Sequence, residues 1–350
     1  MRSRARLDYA GVQADADANR LHSSIAALPE FGTRRIEVGL IRGAIGLRLP
    51  AQSVIRDDKA VGHWRLVVEP RTAADDWNEQ ISLLTGMCAA RIMLDGSGPN
   101  GAPGLGEPIA LLRTMPPPAD SAIDSMRRTA AALGVVWPAD QSVGRMLAGL
   151  DPNAPATLVL MSEATGLLRG AGYTVVDGAA AAGVNGVGVA GSQSADSAKS
   201  ASNAAIVNNL QHSAIGAPYA HVTAPLRRLA DRFATEICLA RCAGTQVPQW
   251  VRNGLVPTAE SMKRSDSLAG KVERACIDLT ESTLLAERSG SIFEAVVVRE
   301  ANGTRPAEVF IADPPVVGSC IGAPPEGAQV QVRLVAADPA ARKISFGYPI

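Results

Sequence analysis

Apolar residues recur three and four positions apart over most of the chain and at alternate positions near its end, which predicts helices followed by short strands. Leu7 to Ala27 and Arg35 to Gly43 read as helices on this spacing. Gly46–Pro50, Ser53–Arg56 and His63–Val68 read as strands, the last rich in side chains that suit a half-buried sheet. A helix is predicted to start near Asp76, where Asp76 and Glu79 have capping-box spacing. Ile81, Leu84, Cys88 and Ile92 then share one face, which is predicted to be core. After a Gly/Pro loop over 95–108, Asp120 caps a helix whose stripe is Ile123, Met126, Ala130 and Leu133. Residues 141–150 and 157–168 read as two more helices. Near the end, Phe293–Val298, Ala307–Ile311, Gln329–Val335 and Lys343–Phe346 are short strands between Gly, Pro and Asn turns, the pattern of a small barrel. The predicted fold class is therefore α+β: a mixed helix/sheet portion over 1–289, then an OB-like β-barrel over 290–350.

Residues 177–204 break this pattern. They are Ala, Gly, Ser and Asn with almost no large apolar side chains, so they cannot offset their ordering entropy and are predicted to be a disordered insertion. Gly186–Gly191 has the letters of a dinucleotide-binding loop but lacks the preceding strand and following apolar helix that such a loop needs.

Composition narrows the classes of function. Lys and Arg number 34, as do Asp and Glu, so the net charge is zero and any nucleic-acid site must be a local patch. Aromatic residues make up 4% of the chain, too few for a protein built of base-stacking platforms. The five cysteines are odd in number and contain no C-x-x-C pair, which argues against a disulfide framework. Cys238 and Cys242 read as buried thiols and not as metal ligands, because no histidine stands near them. The basic N-terminus is followed by no apolar core of a signal peptide, and no apolar run reaches a bilayer's length. The expectation is a cytoplasmic, monomeric protein with no membrane association.

The segment richest in chemistry is Ala217–Arg232. Pro225 suits a first helical turn, so a helix is predicted to begin there, with Leu226, Leu229, Phe233, Ile237 and Ala240 as its buried stripe. Arg227, Arg228, Asp231 and Arg232 fall off that stripe. Two arginines in a first turn oppose the positive end of the helix dipole, which suggests a compensating anion. Free N–H groups and two guanidinium groups would make a phosphate site, with Tyr219 and His221 just upstream. The alternative is structural: Arg227 pairs with Asp231 four residues on, Arg228 caps a neighbouring loop, and Tyr219 and His221 are satisfied core groups.

Tyr219-x-His221-x-Thr223-x-Pro225-Leu226-Arg227-Arg228-x-x-Asp231 resembles the signature near the end of the RNB catalytic domain of ribonuclease II-type exoribonucleases. Arg42–Ile45, Trp77–Ala90 and Lys271–Arg274 resemble other family stretches in the same order. Two positions depart from the pattern: Ala224 stands where the family usually has Ser, and Leu229 where it tends to have an aromatic. The resemblance implies an RNB-like fold and hydrolytic, stepwise removal of nucleotides from RNA 3′ ends, with Mg²⁺ held by clustered aspartates. It makes single-stranded RNA the expected partner. It also implies that Arg227 and Glu273 are catalytic, with Arg227 gripping the scissile phosphate, and that Tyr219, His221, Thr223, Arg227 and Arg228 line the RNA site. Read without the family, Glu273 flanks the stripe Leu268, Val272, Cys276 and Leu279 as an ordinary solvated helix residue.

The family's Asp-x-Asp-Asp element is expected before the region matching the first residues of this chain. Asp57-Asp58 reads as a turn and Asp75-Asp76 as a helix cap, so neither replaces it. No metal ligands are therefore predicted, and the chain alone is expected to hold no Mg²⁺, to be inactive in cleavage and to bind RNA weakly. Three readings remain open: an exoribonuclease whose aspartates lie upstream, a non-catalytic RNA-binding remnant, and a scaffold protein.

Overall fold

The structure, a computed structural model, describes residues 5–48, 51–56, 64–69, 71–95, 107–151, 154–178 and 210–350. The helices are α1 (Tyr9–Asp17), α2 (Leu28–Ile41), α3 (Ala73–Asp95), α4 (Asp120–Ala132), α5 (Val143–Ala148), α6 (Pro155–Leu167), α7 (Leu229–Cys242) and α8 (Gln249–Leu285). The strands are β1 (Ala51–Arg56), β2 (Trp64–Glu69), β3 (Ile109–Thr114), β4 (Gly172–Asp177), β5 (Gln211–His212), β6 (Ala217–Pro218), β7 (Ile292–Arg299), β8 (Ala307–Ala312), β9 (Pro315–Ile321), β10 (Gln329–Asp338) and β11 (Lys343–Gly347). Two compact units result. One holds 1–45, 72–118 and 168–266, the other 46–71, 119–167 and 267–350, so α8 contributes residues to both. The insertion expected over 177–204 lies outside the described residues from position 179 onward, together with Gly186–Gly191. No helix among the described residues is long and apolar enough to cross a membrane.

The first unit is built on β3. Ile109, Ala110, Leu111 and Leu112 are all buried, a continuous apolar run whose lack of alternation and Gly/Pro-rich approach concealed a strand. It pairs antiparallel with β4, Leu111 opposite Val175. The core around it takes Ala89, Ala90 and Met93 from α3, Ala230, Ala234 and Ile237 from α7, and Val251, Leu255 and Met262 from α8.

α3 shows how the core was chosen. Its start is held by Asp75, which accepts from the Thr72 N–H at 2.9 Å and the Thr72 hydroxyl at 2.6 Å, so the helix begins before Asp76. Its inward face is Ala74, Asp76, Gly86, Ala89, Ala90 and Met93. The stripe expected to be core is turned the other way: Ile81 is 44% exposed, Cys88 is exposed, and Leu84 and Ile92 are half-buried. Mostly small side chains face inward because backbone comes very close there. The Ala220 N–H donates to the Gly86 carbonyl at 3.1 Å, and a Cβ on Gly86 would stand 2.1 Å from a Tyr219 ring carbon and 2.5 Å from the Ala220 oxygen. Of the two thiols on α7 expected to be buried, Cys238 is half-buried and Cys242 is exposed, since Cys242 lies at the helix end.

The barrel of the second unit closes in the order β10-β11-β9-β8-β7, with β11 and β9 parallel and the other pairs antiparallel. Phe293, Val297, Val309, Ile311, Val316, Val332, Leu334 and Phe346 fill it. β9 was missed in the sequence because Pro315 and Gly318 interrupt its run. Gly318 is needed there: a Cβ would lie 2.6 Å from the Phe346 ring. The mixed helix and sheet with a closed terminal barrel agrees with the fold class expected above.

Gly86→Ala is expected to lower stability by about 1–3 kcal/mol, the usual cost of overpacking, read as a lower urea midpoint at constant m. Gly270→Ala on α8, where nothing lies within 4 Å of the added methyl, is the control and should raise the midpoint slightly.

Candidate nucleic-acid interface

The segment that precedes α7 is fixed on both sides. β6 pairs with β5, the Arg113 N–H of β3 donates to the Tyr219 carbonyl at 2.8 Å, and Ala220 bonds to Gly86 of α3. From there the chain runs into a turn. The Ala224 carbonyl accepts the N–H groups of Arg227 at 3.2 Å and Arg228 at 3.0 Å, and Arg228 itself is extended, with φ −125 and ψ 117.

α7 therefore begins at Leu229 and not at Pro225. The cause is Asp231, which reaches back: its Oδ2 accepts the Ala224 N–H at 2.6 Å and an Arg228 Nη2 donor at 3.0 Å, while Arg228 Nε stands 2.9 Å from Oδ1. The expected stripe changes with the start. Leu226 is 100% exposed and Leu229 43% exposed, and the buried positions are Ala230, Asp231, Ala234, Ile237, Ala240 and Arg241. The acid's partner is Arg228 and not Arg227. Arg227 stands exposed on the turn, and α7 has no side-chain cap.

Behind the turn lies an aromatic cluster. Tyr219 is buried, with its ring 5.6 Å from that of His221 and 6.0 Å from that of His212, both edge-on. His221 Nδ1 shares a 2.8 Å hydrogen bond with the hydroxyl of Tyr173 on β4. The Arg113 guanidinium sits 4.9 Å from the Tyr173 ring centre and pairs with Asp266 at 3.3 Å. Burial first, then the nearby Arg228 and Arg113, pushes His221 down to about 3; burial and Arg113 push His212 down to about 4. Burial also pushes the Tyr173 phenol up to about 12 and raises that of Tyr219. The four rings are thus neutral at physiological pH, and the cations around them are not joined by imidazolium.

Of the residues picked out in the sequence, Tyr219, His221, Thr223 and Arg228 are gathered here, with Arg228 3.4 Å from the Thr223 hydroxyl and Arg227 beside them on the turn. Glu273 belongs to the second unit, on a stretch of α8, residues 263–274, that is exposed all round. Sequence reasoning missed Asp231 as the organiser, Tyr173 and Arg113 on unrecognised strands, and Glu79. Read as part of a helix cap, Glu79 in fact stands near enough to Tyr219 to raise its phenol pKa. The signal that could have pointed to that face of α3 is Gly86, two turns on, a glycine inside a helix.

No group of three or more His, Cys, Asp or Glu side chains among the described residues could hold a metal ion. The buried carboxylate at the turn, Asp231, is occupied by Ala224 and Arg228. These residues do not form the oxygen-rich set that Mg²⁺ requires.

Residues 291–348 match the RNase II-type exonuclease C-terminal S1 domain. Among solved structures, the apo form of Mycoplasma genitalium RNase R is similar with a TM-score of 0.72 at 13% identity, over 97% of this chain and 52% of that one. The same protein is known in complex with ribose-methylated single-stranded RNA and with double-stranded RNA. An active-site mutant of the Dss1 exoribonuclease from Candida glabrata has a TM-score of 0.63 at 12% identity, over 99% of this chain and 38% of that one. Yeast Ssd1, a pseudonuclease, has 0.57 at 14% identity, over 94% and 38%. The chain spans about half the length of the RNase R it resembles. No curated protein matches it in sequence.

The neutral histidines predict an acid-sensitive fold. Their folded pKa values lie below the ordinary 6.5, so the unfolded chain takes up protons first as pH falls. The stabilisation is complete above about pH 6.5 and is lost progressively down to about 4 for His212 and about 3 for His221. Melting temperature should fall over this range, and the fall should be shallower in a His212→Gln/His221→Asn variant; parallel curves would show that neither ring is held neutral.

Proposed function

We propose that this chain, whose fold and C-terminal S1 domain are those of the RNase II/RNB-type exoribonucleases, binds single-stranded RNA through its phosphates at the turn Thr223–Arg228, with Arg227 as the gripping group. The observation that carries this is the division of labour between two adjacent arginines. Arg228 is committed to a buried carboxylate, and Arg227 is presented to solvent at a helix start without a side-chain cap. N–H groups at such a start and a planar guanidinium beside them suit a phosphate. With zero net charge over the chain, the attraction has to be local. The RNA complexes of Mycoplasma genitalium RNase R, a protein of the same fold, support RNA as the ligand.

We assign the described residues to holding RNA and not to metal-dependent cleavage, because their carboxylates do not form a Mg²⁺ site. Tyr219 and His221 form the neutral wall behind the turn. Glu273, a residue of the second unit, is not part of this assignment; the family resemblance alone gives it a role, and that role is in cleavage. With Mg²⁺ or Mn²⁺, the chain should release no mononucleotides from single-stranded RNA; steady release abolished by EDTA would show that carboxylates outside this reading assemble a site.

Arg227→Ala is expected to weaken binding to single-stranded RNA of any sequence about equally and to reduce the slope of log K against log salt by about 0.7–1, the loss of one phosphate contact. Arg232→Ala, exposed one turn further on, is the control. Equal, small effects in both would reduce Arg227 to a solvated helix-start arginine.

A further inference from the structure

Asp231 is charged and fully buried, at 0% exposure, on a helix face it shares with Ala230 and Ala234. A buried carboxylate is costly unless it is paired and hydrogen-bonded, and replacing a buried ion pair by apolar residues of similar size is often neutral or stabilising. Core packing alone therefore gives no reason for an acid at this position.

What the carboxylate does is close a loop. Its bond to the Ala224 N–H holds the beginning of the turn, and its pair with Arg228 holds the end. The residues between, Pro225, Leu226 and Arg227, are all exposed. Leu226 buries nothing at 100% exposure, so apolar packing does not hold the turn in place. The same carboxylate neutralises Arg228, which otherwise would add a second cation beside Arg227 at the positive end of α7. A short loop held at both ends presents one guanidinium in one place, and pre-organisation of this kind lowers the entropy lost on binding.

We infer that Asp231, through Arg228 and the Ala224 N–H, is a positioning residue that fixes the turn presenting Arg227 to RNA phosphate without touching RNA itself. The inference rests on the reading of Arg227 given above.

The test replaces the pair by apolar residues, Arg228→Met with Asp231→Leu, so that no unpaired charge is left buried and the fold is kept; Asp231→Asn is made beside it. Amide exchange at Ala224 and affinity for oligouridylate are measured for each and for the same variants carrying Arg227→Ala. The expected result is faster exchange at Ala224 with the α7 core unchanged. Affinity should fall several-fold, on the order of the loss in Arg227→Ala alone, and adding Arg227→Ala should then lower it little further. Unchanged exchange at Ala224 would show that Asp231 does not hold the turn. Faster exchange with native affinity, or a full further loss on adding Arg227→Ala, would show that it does not act through Arg227. If Arg227→Ala alone leaves affinity unchanged, the RNA reading fails, while Ala224 exchange still reports whether Asp231 holds the turn.

Discussion

The first unit depends on one close approach, that of the Tyr219–Ala220 backbone to Gly86 of α3 on one side and Arg113 of β3 on the other. Two main-chain hydrogen bonds satisfy groups that would be costly to bury unpaired, and they leave no room for a side chain at Gly86. Much follows from this clamp. It sets the inward face of α3, puts the Tyr219 ring against His212 and His221, and delivers the chain to the turn before α7 at a fixed point.

Charge at this place is arranged by pairing. Arg113 is matched by Asp266 and faces Tyr173, and Arg228 is matched by Asp231. His212 and His221 are kept neutral by burial and by these same cations. Arg227 is left as the guanidinium presented outward on the turn. A molecule without net charge can still offer an anion one defined contact, because the neighbouring cations are occupied.

Apolar spacing located most helices and barrel strands but not their bounds, since the helix expected over 7–27 ends at Asp17, the one expected over 35–43 begins at Leu28 and residues 46–48 form no strand. It also misjudged which face of a helix is inside. On α3 the stripe of larger apolar residues lies outward and small residues lie inward, since packing distance there is set by main-chain bonds and not by hydrophobicity. On α7 the expected stripe was displaced because one carboxylate moved the helix start by capturing a backbone N–H. β3 escaped notice for a related reason: a strand buried on both faces has no alternation to read.

The motif from Tyr219 to Asp231 was legible by its residue types and spacing, as were the α+β class and the terminal barrel, because these depend on local periodicity and local chemistry. The roles within the motif were not. Which arginine Asp231 would take depended on where the turn ends and the helix starts. How Tyr173, Arg113 and Glu79 would come to stand beside the signature depended on contacts between segments far apart in the chain. Pairing, burial and the resulting pKa of each group are properties of that assembled surrounding, and only the tertiary structure decided them.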